Sequence, residues 1–125
     1  MVKKLIISSI LLLGLTTSMG KGVHHNPINE ELLYKIGRVE SNHNDKAVSK
    51  KGAIGRYQIR YVVWHKELKK EGIIKNRNDL FKHENNKKAA YYVLGKYYSQ
   101  TGDLKKTLVK YSGGAKNYYE KVVYE

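Results

Sequence analysis

Apolar residues in this chain recur three and four positions apart and nowhere alternate for more than a few residues, so the core has to be assembled from helices. Ile28, Leu32, Leu33, Ile36 and Val39 form the first such stripe. Asn26 and Pro27 read as its N-cap and first helical residue, and it is expected to end near Ser41. Further helices are expected over residues 62–71, closed by Gly72, and over residues 84–99, closed near Gly102. Two shorter ones, over residues 104–111 and 115–124, are parted by Gly113 and Gly114. Residues 42–55 are rich in Asn, Ser, Asp, Lys and Gly and read as a loop crossing the surface. A chain of 125 residues holds one modest core and a single domain.

The first segment stands apart from this pattern. Residues 1–4 are basic, Leu5 to Leu15 is an apolar run, and Ser18 and Gly20 are small residues placed for a cut. That is the layout of a secretory signal peptide over residues 1–20, which leaves 21–125 as the working domain. The run is shorter than the roughly 20 apolar residues of a comfortable membrane span. Retention as an N-terminal anchor is the alternative, and no stable membrane insertion is expected after cleavage. The chain has no cysteine, which excludes a lipoprotein anchor, disulfides and thiolate metal sites. Its five histidines fall at no metal-ligand spacing, so no metal is expected. The formal net charge of +13 points to a polyanionic partner or to solvated helix faces. Export to the periplasm or cell wall favours an anionic wall polymer over nucleic acid.

Glu40 is the residue that the helical pattern singles out. Positions three and four apart stack on one face, so Glu40 continues the line of Leu33, Ile36 and Gly37 into the last turn of the first helix. A carboxyl there is partly desolvated and sits at the negative end of the helix dipole. Both effects favour the protonated form and suit a general acid.

The string ESNHNDKAVSKKGAIGRYQI, Glu40 to Ile59, carries a further signal. It resembles the first two motifs of the soluble, goose-lysozyme-like lytic transglycosylases, whose pattern is close to E-S-x-x-x-P-x-A-x-S-x-x-G-A-x-G-x-x-Q. Glu40, Ser41, Ala47, Ser49, Gly52, Ala53, Gly55 and Gln58 match at the family spacing. The stretch through Tyr111, Ser112, Gly113, Gly114 and Ala115 resembles the family's closing A-Y-N-A-G motif. Three departures stand out: Asp45 at the family proline, Arg56-Tyr57 at the family Leu-Met, and Ser112 at the family Asn.

The resemblance implies a mainly α, lysozyme-like domain with a catalytic cleft. It implies cleavage of the β-1,4 bond between N-acetylmuramic acid and N-acetylglucosamine in peptidoglycan, with Glu40 as the one acid and base. The muramic 6-hydroxyl then attacks and leaves a 1,6-anhydro end, and no metal or organic cofactor is called for. By the same resemblance Ser41 helps hold Glu40 or a substrate group, and Gly52 and Gly55 serve the turn and the close approach of the glycan. Gln58 orients a sugar amide, Tyr57 and Ser112 line the glycan path, and the Tyr111 phenol donates to the catalytic carboxyl; a core role for Tyr111 is equally open. Arg56 and Tyr57 make that wall more polar and cationic. A monomer is expected, serving wall remodelling by itself or for an envelope-spanning machine. A water-using muramidase of the same fold needs a second carboxylate, and a wall-binding protein without activity is the non-enzymatic alternative.

Overall fold

The structure, a computed structural model, describes residues 26–125; the expected signal segment and the pair His24-His25 lie outside the described residues. Five α-helices make up most of it: α1 (Glu30–Ser41), α2 (Tyr61–Lys70), α3 (His83–Thr101), α4 (Leu104–Tyr111) and α5 (Tyr118–Tyr124). A short 3₁₀ helix, Arg77–Phe81, precedes α3. The mainly helical fold expected from the apolar spacing is what forms.

Helix α1 starts three residues later than expected. The Asn26 side chain accepts from the N–H of Ile28 in a local turn, whereas Asn29 accepts from the N–H of Leu32 and so caps the helix. Glu30 and Glu31 then lie in the first turn, where the helix dipole favours negative charge. Leu32, Leu33 and Ile36 are buried, and Ile28 joins the same cluster from outside the helix. The helix ends sharply because Asn42 and His43 both take positive φ. Their N–H groups bond back to the Arg38 and Gly37 carbonyls at 3.0 and 3.1 Å, which closes the last turn just beyond Glu40.

Helix α3 is the central element. Its Ala89, Ala90, Val93 and Leu94 are buried, and it packs against α4 and the 3₁₀ helix, while α1 packs against α5. Gly72 and Gly102 close α2 and α3 with positive φ, as their positions suggest. Helix α5 begins at Tyr118, not Ala115, because Ser112 accepts from the N–H groups of Gly114 and Ala115 and holds residues 112–115 in a turn.

The expected surface loop is better described as a small ribbon that dips into the core. Strand β1 (Ala53–Ile54) pairs antiparallel with β2 (Ile59–Arg60), Ala53 opposite Arg60, and Val48 bridges to Ile54. Ala53, Ile54, Tyr57 and Ile59 are buried. Two residues per strand leave no alternation to read, so the sequence pattern shows only the turn chemistry around them.

Gly55 is where the ribbon meets α3. With φ of +81°, an added Cβ would stand 2.3 Å from Asn86 Nδ2 and 2.6 Å from the Leu80 carbonyl oxygen. The close approach is to the protein's own core and not to a glycan, which corrects the role expected for Gly55. Gly52 has the same φ and nothing within 4 Å. Gly55→Ala is therefore expected to lower stability by about 3 kcal/mol or more, left-handed strain and overpacking combined. Gly52→Ala is expected to lower it by only about 1 kcal/mol. Urea denaturation midpoints of the two variants test the contrast.

Candidate active site

A cleft of about 290 Å³ opens between the β ribbon and the helices, near the low end of the size that ligand sites have. Ser49, Lys51, Ala53, Gln58, Ile59 and Arg60 line it from the ribbon side. Trp64 of α2, Val93 and Tyr97 of α3, and Lys110 to Gly113 at the end of α4 line the rest, and Glu40 enters from α1. Among the described residues that line it, Glu40 is the one carboxylate.

The position of Glu40 follows from how α1 is held. Arg38 donates through Nη2 to the Lys121 carbonyl at 3.0 Å, and the Tyr118 hydroxyl donates to Glu40 Oε2 at 2.6 Å. Both contacts tie the last turn of α1 to α5. Burial raises the Glu40 pKa above its ordinary value, and the Tyr118 hydrogen bond offsets part of that rise by stabilising the carboxylate. Tyr118 itself is pushed far up, by burial first and by the adjacent Glu40 charge second, so it stays a proton-bearing donor across the accessible pH range.

The tyrosine that meets Glu40 is thus Tyr118 and not Tyr111. The Tyr111 hydroxyl donates to the Tyr57 carbonyl at 2.6 Å while the residue lines the cleft. Desolvation, then the Glu40 charge, lifts its pKa well above the usual range. It locks the ribbon to α4 beside the carboxyl without bonding to it.

Tyr57 also departs from expectation. It is 4% exposed, does not line the cleft, and presents its ring to Gly37 and His83. Its backbone is gripped on both sides, the N–H by Asn86 Oδ1 at 2.9 Å and the carbonyl by Tyr111. Arg56 points to Asp45 with contacts of 2.9 and 3.2 Å, so it does not make the cleft cationic. Two of the three departures, Asp45 and Arg56, are therefore one ion pair.

Ser41 and Ser112 are engaged locally. Ser41 Oγ donates to the Arg56 carbonyl at 2.8 Å and accepts from the Asn44 N–H, stitching the end of α1 to the ribbon outside the cleft. Ser112 lines the cleft, yet its hydroxyl donates to the Val109 carbonyl. Gln58 lines the cleft and donates from Nε2 to the Ala47 and Gly55 carbonyls at 3.3 and 3.0 Å. With both amide hydrogens committed, its carbonyl oxygen is the group left to face a ligand, so the paired donor and acceptor expected of it reduce to an acceptor.

Sequence reasoning missed Asn86, Trp64, Arg60 and Lys110. Asn86 is 1% exposed and donates to the Ile54 and Leu80 carbonyls at 2.9 and 2.8 Å, in addition to accepting from Tyr57. A lone Asn on the buried stripe of α3 was the signal for it. Trp64 and Tyr97 meet edge to face with centroids 5.6 Å apart and give the cleft an aromatic end.

The cleft therefore holds one desolvated carboxyl, a tyrosine donor on that carboxyl, and a wall fixed by main-chain hydrogen bonds. A family model described as the transglycosylase SLT domain matches residues 19–124. No curated protein and no solved structure matches the chain. The match runs through Glu40, the ribbon and the end of α4 to the last helix, and on that extent the chain belongs to the transglycosylase SLT domain family, with its lysozyme-like helical fold.

Proposed function

We propose that this protein is a peptidoglycan lytic transglycosylase that cleaves the N-acetylmuramic acid to N-acetylglucosamine β-1,4 bond with Glu40 as its one acid and base. The observation that carries the reading is that Glu40 is, among the described residues, the single carboxylate lining the cleft and is held toward its protonated form by burial. Two-carboxylate glycosidases place a second group roughly 5 to 9.5 Å from the acid. Here Asp45, the nearest in sequence, is engaged by Arg56 and does not line the cleft. Protonated Glu40 gives its proton to the glycosidic oxygen as the bond to the anomeric carbon breaks. The resulting carboxylate, stabilised by the Tyr118 hydroxyl, takes the proton of the muramic 6-hydroxyl as that oxygen closes on the anomeric carbon. The product is a 1,6-anhydro ring and no water enters the balance.

The Gln58 carbonyl oxygen accepts from a sugar N–H or hydroxyl, and Trp64 and Tyr97 offer apolar faces to the chain. The substrate places the work in the exported compartment, periplasm or cell wall, where a domain this small suits local opening of the wall for an envelope-spanning assembly. Mass spectrometry of digested peptidoglycan tests the assignment. Anhydromuramic ends are expected; reducing ends would make it a hydrolase instead.

Activity requires protonated Glu40 at the start of each turnover, so kcat/KM is expected to fall as pH rises through its raised pKa. Tyr118→Phe removes the donor that stabilises the carboxylate, and the alkaline limb is expected to move to higher pH. A pH–rate profile of the variant checks this, and an unmoved limb would show that Tyr118 does not tune Glu40.

A further inference from the structure

The cleft contains more positive charge than a neutral glycan can use. Lys51, Arg60 and Lys110 line it beside the one carboxylate, and none of the three forms an ion pair among the described residues. They come from three separate places, the ribbon turn, the end of β2 and the end of α4, so no single charged helix face explains them. One of them lies over an aromatic ring of the cleft. Lys110 Nζ lies 5.8 Å from the Tyr97 ring centroid, and Arg60 lines the same cleft as Tyr97. Tyr111 lines the same cleft as Glu40, Tyr97 and both cations.

We infer that Arg60 and Lys110, which line the cleft together with Tyr97, form an anion subsite that binds carboxylates of the peptide arms carried by the muramyl residues. The inference rests on the proposed glycan substrate. In that polymer the backbone is uncharged wherever each lactyl group is joined to a peptide, and the carboxylates sit on the arms. A guanidinium and an ammonium lining one cleft engage such a group through charge-assisted hydrogen bonds. The cleft thereby selects strands by what hangs from them, with the sugar path at Glu40 and the arm at Tyr97.

The test uses soluble, uncross-linked strands with peptide arms, and the same strands after their carboxyl groups have been converted to methylamides by carbodiimide coupling. Each exposed ion pair is worth up to about fivefold, and the two together are expected to make KM about tenfold lower on the native strands. The preference is expected to vanish at 1 M salt, where the screening length falls to about 3 Å. In an Arg60→Gln, Lys110→Gln double variant the tenfold ratio is expected to collapse to about one. Equal KM values for the wild type, or an undiminished ratio in the variant, would overturn the subsite. Binding of fluorescently labelled strands in a Glu40→Gln background reads the same ratio without cleavage. If the wild type cleaves neither strand while that binding preference persists, the catalytic reading falls and the subsite stands. Cleavage of both strands with one KM gives the reverse.

Discussion

Glu40→Gln is expected to reduce glycan cleavage by at least about 10³-fold, with the fold intact. General acid–base catalysis typically contributes about 10²- to 10⁴-fold for each role, and the proposed mechanism gives both roles to one carboxyl. The amide keeps the shape and still accepts from the Tyr118 hydroxyl, but it has no proton to give and none to take. The same substitution has an opposite effect on stability. The folded protein holds Glu40 with a raised pKa, so between the unfolded and folded pKa values the folded state binds more protons than the unfolded chain. Stability from this group is then full below the unfolded value and declines as pH rises through the folded one. Gln carries no such slope. The variant is expected to melt at or above the wild-type temperature near neutral pH, the difference shrinking toward acid. Loss of cleavage together with a melting temperature well below wild type would mean that Glu40 supports the fold and not the chemistry.

The placement of Glu40 at the end of α1 and in the cleft shows where sequence reading succeeds. Glu40 was legible because helical periodicity is local: Leu33, Ile36 and Gly37 fix its face, and the polar run after Ser41 fixes the end of its helix. The helices themselves were legible for the same reason, with glycines at their ends. What escaped was long-range. Tyr118 reaches Glu40 across 78 positions, and among 11 tyrosines nothing local distinguishes it from Tyr111. Tyr57 looked like a cleft residue because it sits inside the motif, but the ribbon's turn delivers its side chain to the core and its two backbone groups to Asn86 and Tyr111. Arg56 and Asp45 looked like separate departures because their ion pair forms only once the ribbon folds back on the end of α1. The cationic character assigned to Arg56 belongs to Lys51, Arg60 and Lys110, which no motif marks.

Asn86 shows how much of the cleft depends on one buried polar side chain, and its replacement is expected to have the largest effect on stability. Asn86→Leu keeps the branching at Cγ but strands the Ile54 and Leu80 carbonyls and the Tyr57 N–H, all three bonded at 2.8 to 2.9 Å in a site closed to water. At about 1 to 3 kcal/mol for each unsatisfied group, the loss is expected to be about 4 kcal/mol. That is a large fraction of the roughly 5 to 15 kcal/mol that holds a domain of this size together. The ribbon should loosen first, so amide exchange at Tyr57 is expected to accelerate more than exchange in the middle of α3. Asn86→Asp separates hydrogen bonding from shape. An ionised carboxylate there accepts from the Tyr57 N–H but sets a negative oxygen against two carbonyls, whereas a protonated one donates to one of them. Its folded pKa must then lie above the unfolded value of about 3.9. Relative to the wild type, the variant is expected to be least impaired below that value and to lose stability as pH rises through its folded pKa. A stability difference between the Asn86→Asp variant and the wild type that stays flat with pH would mean that Asn86 holds the ribbon by packing alone, and that the hydrogen bonds to Ile54, Leu80 and Tyr57 do not decide where the cleft wall stands.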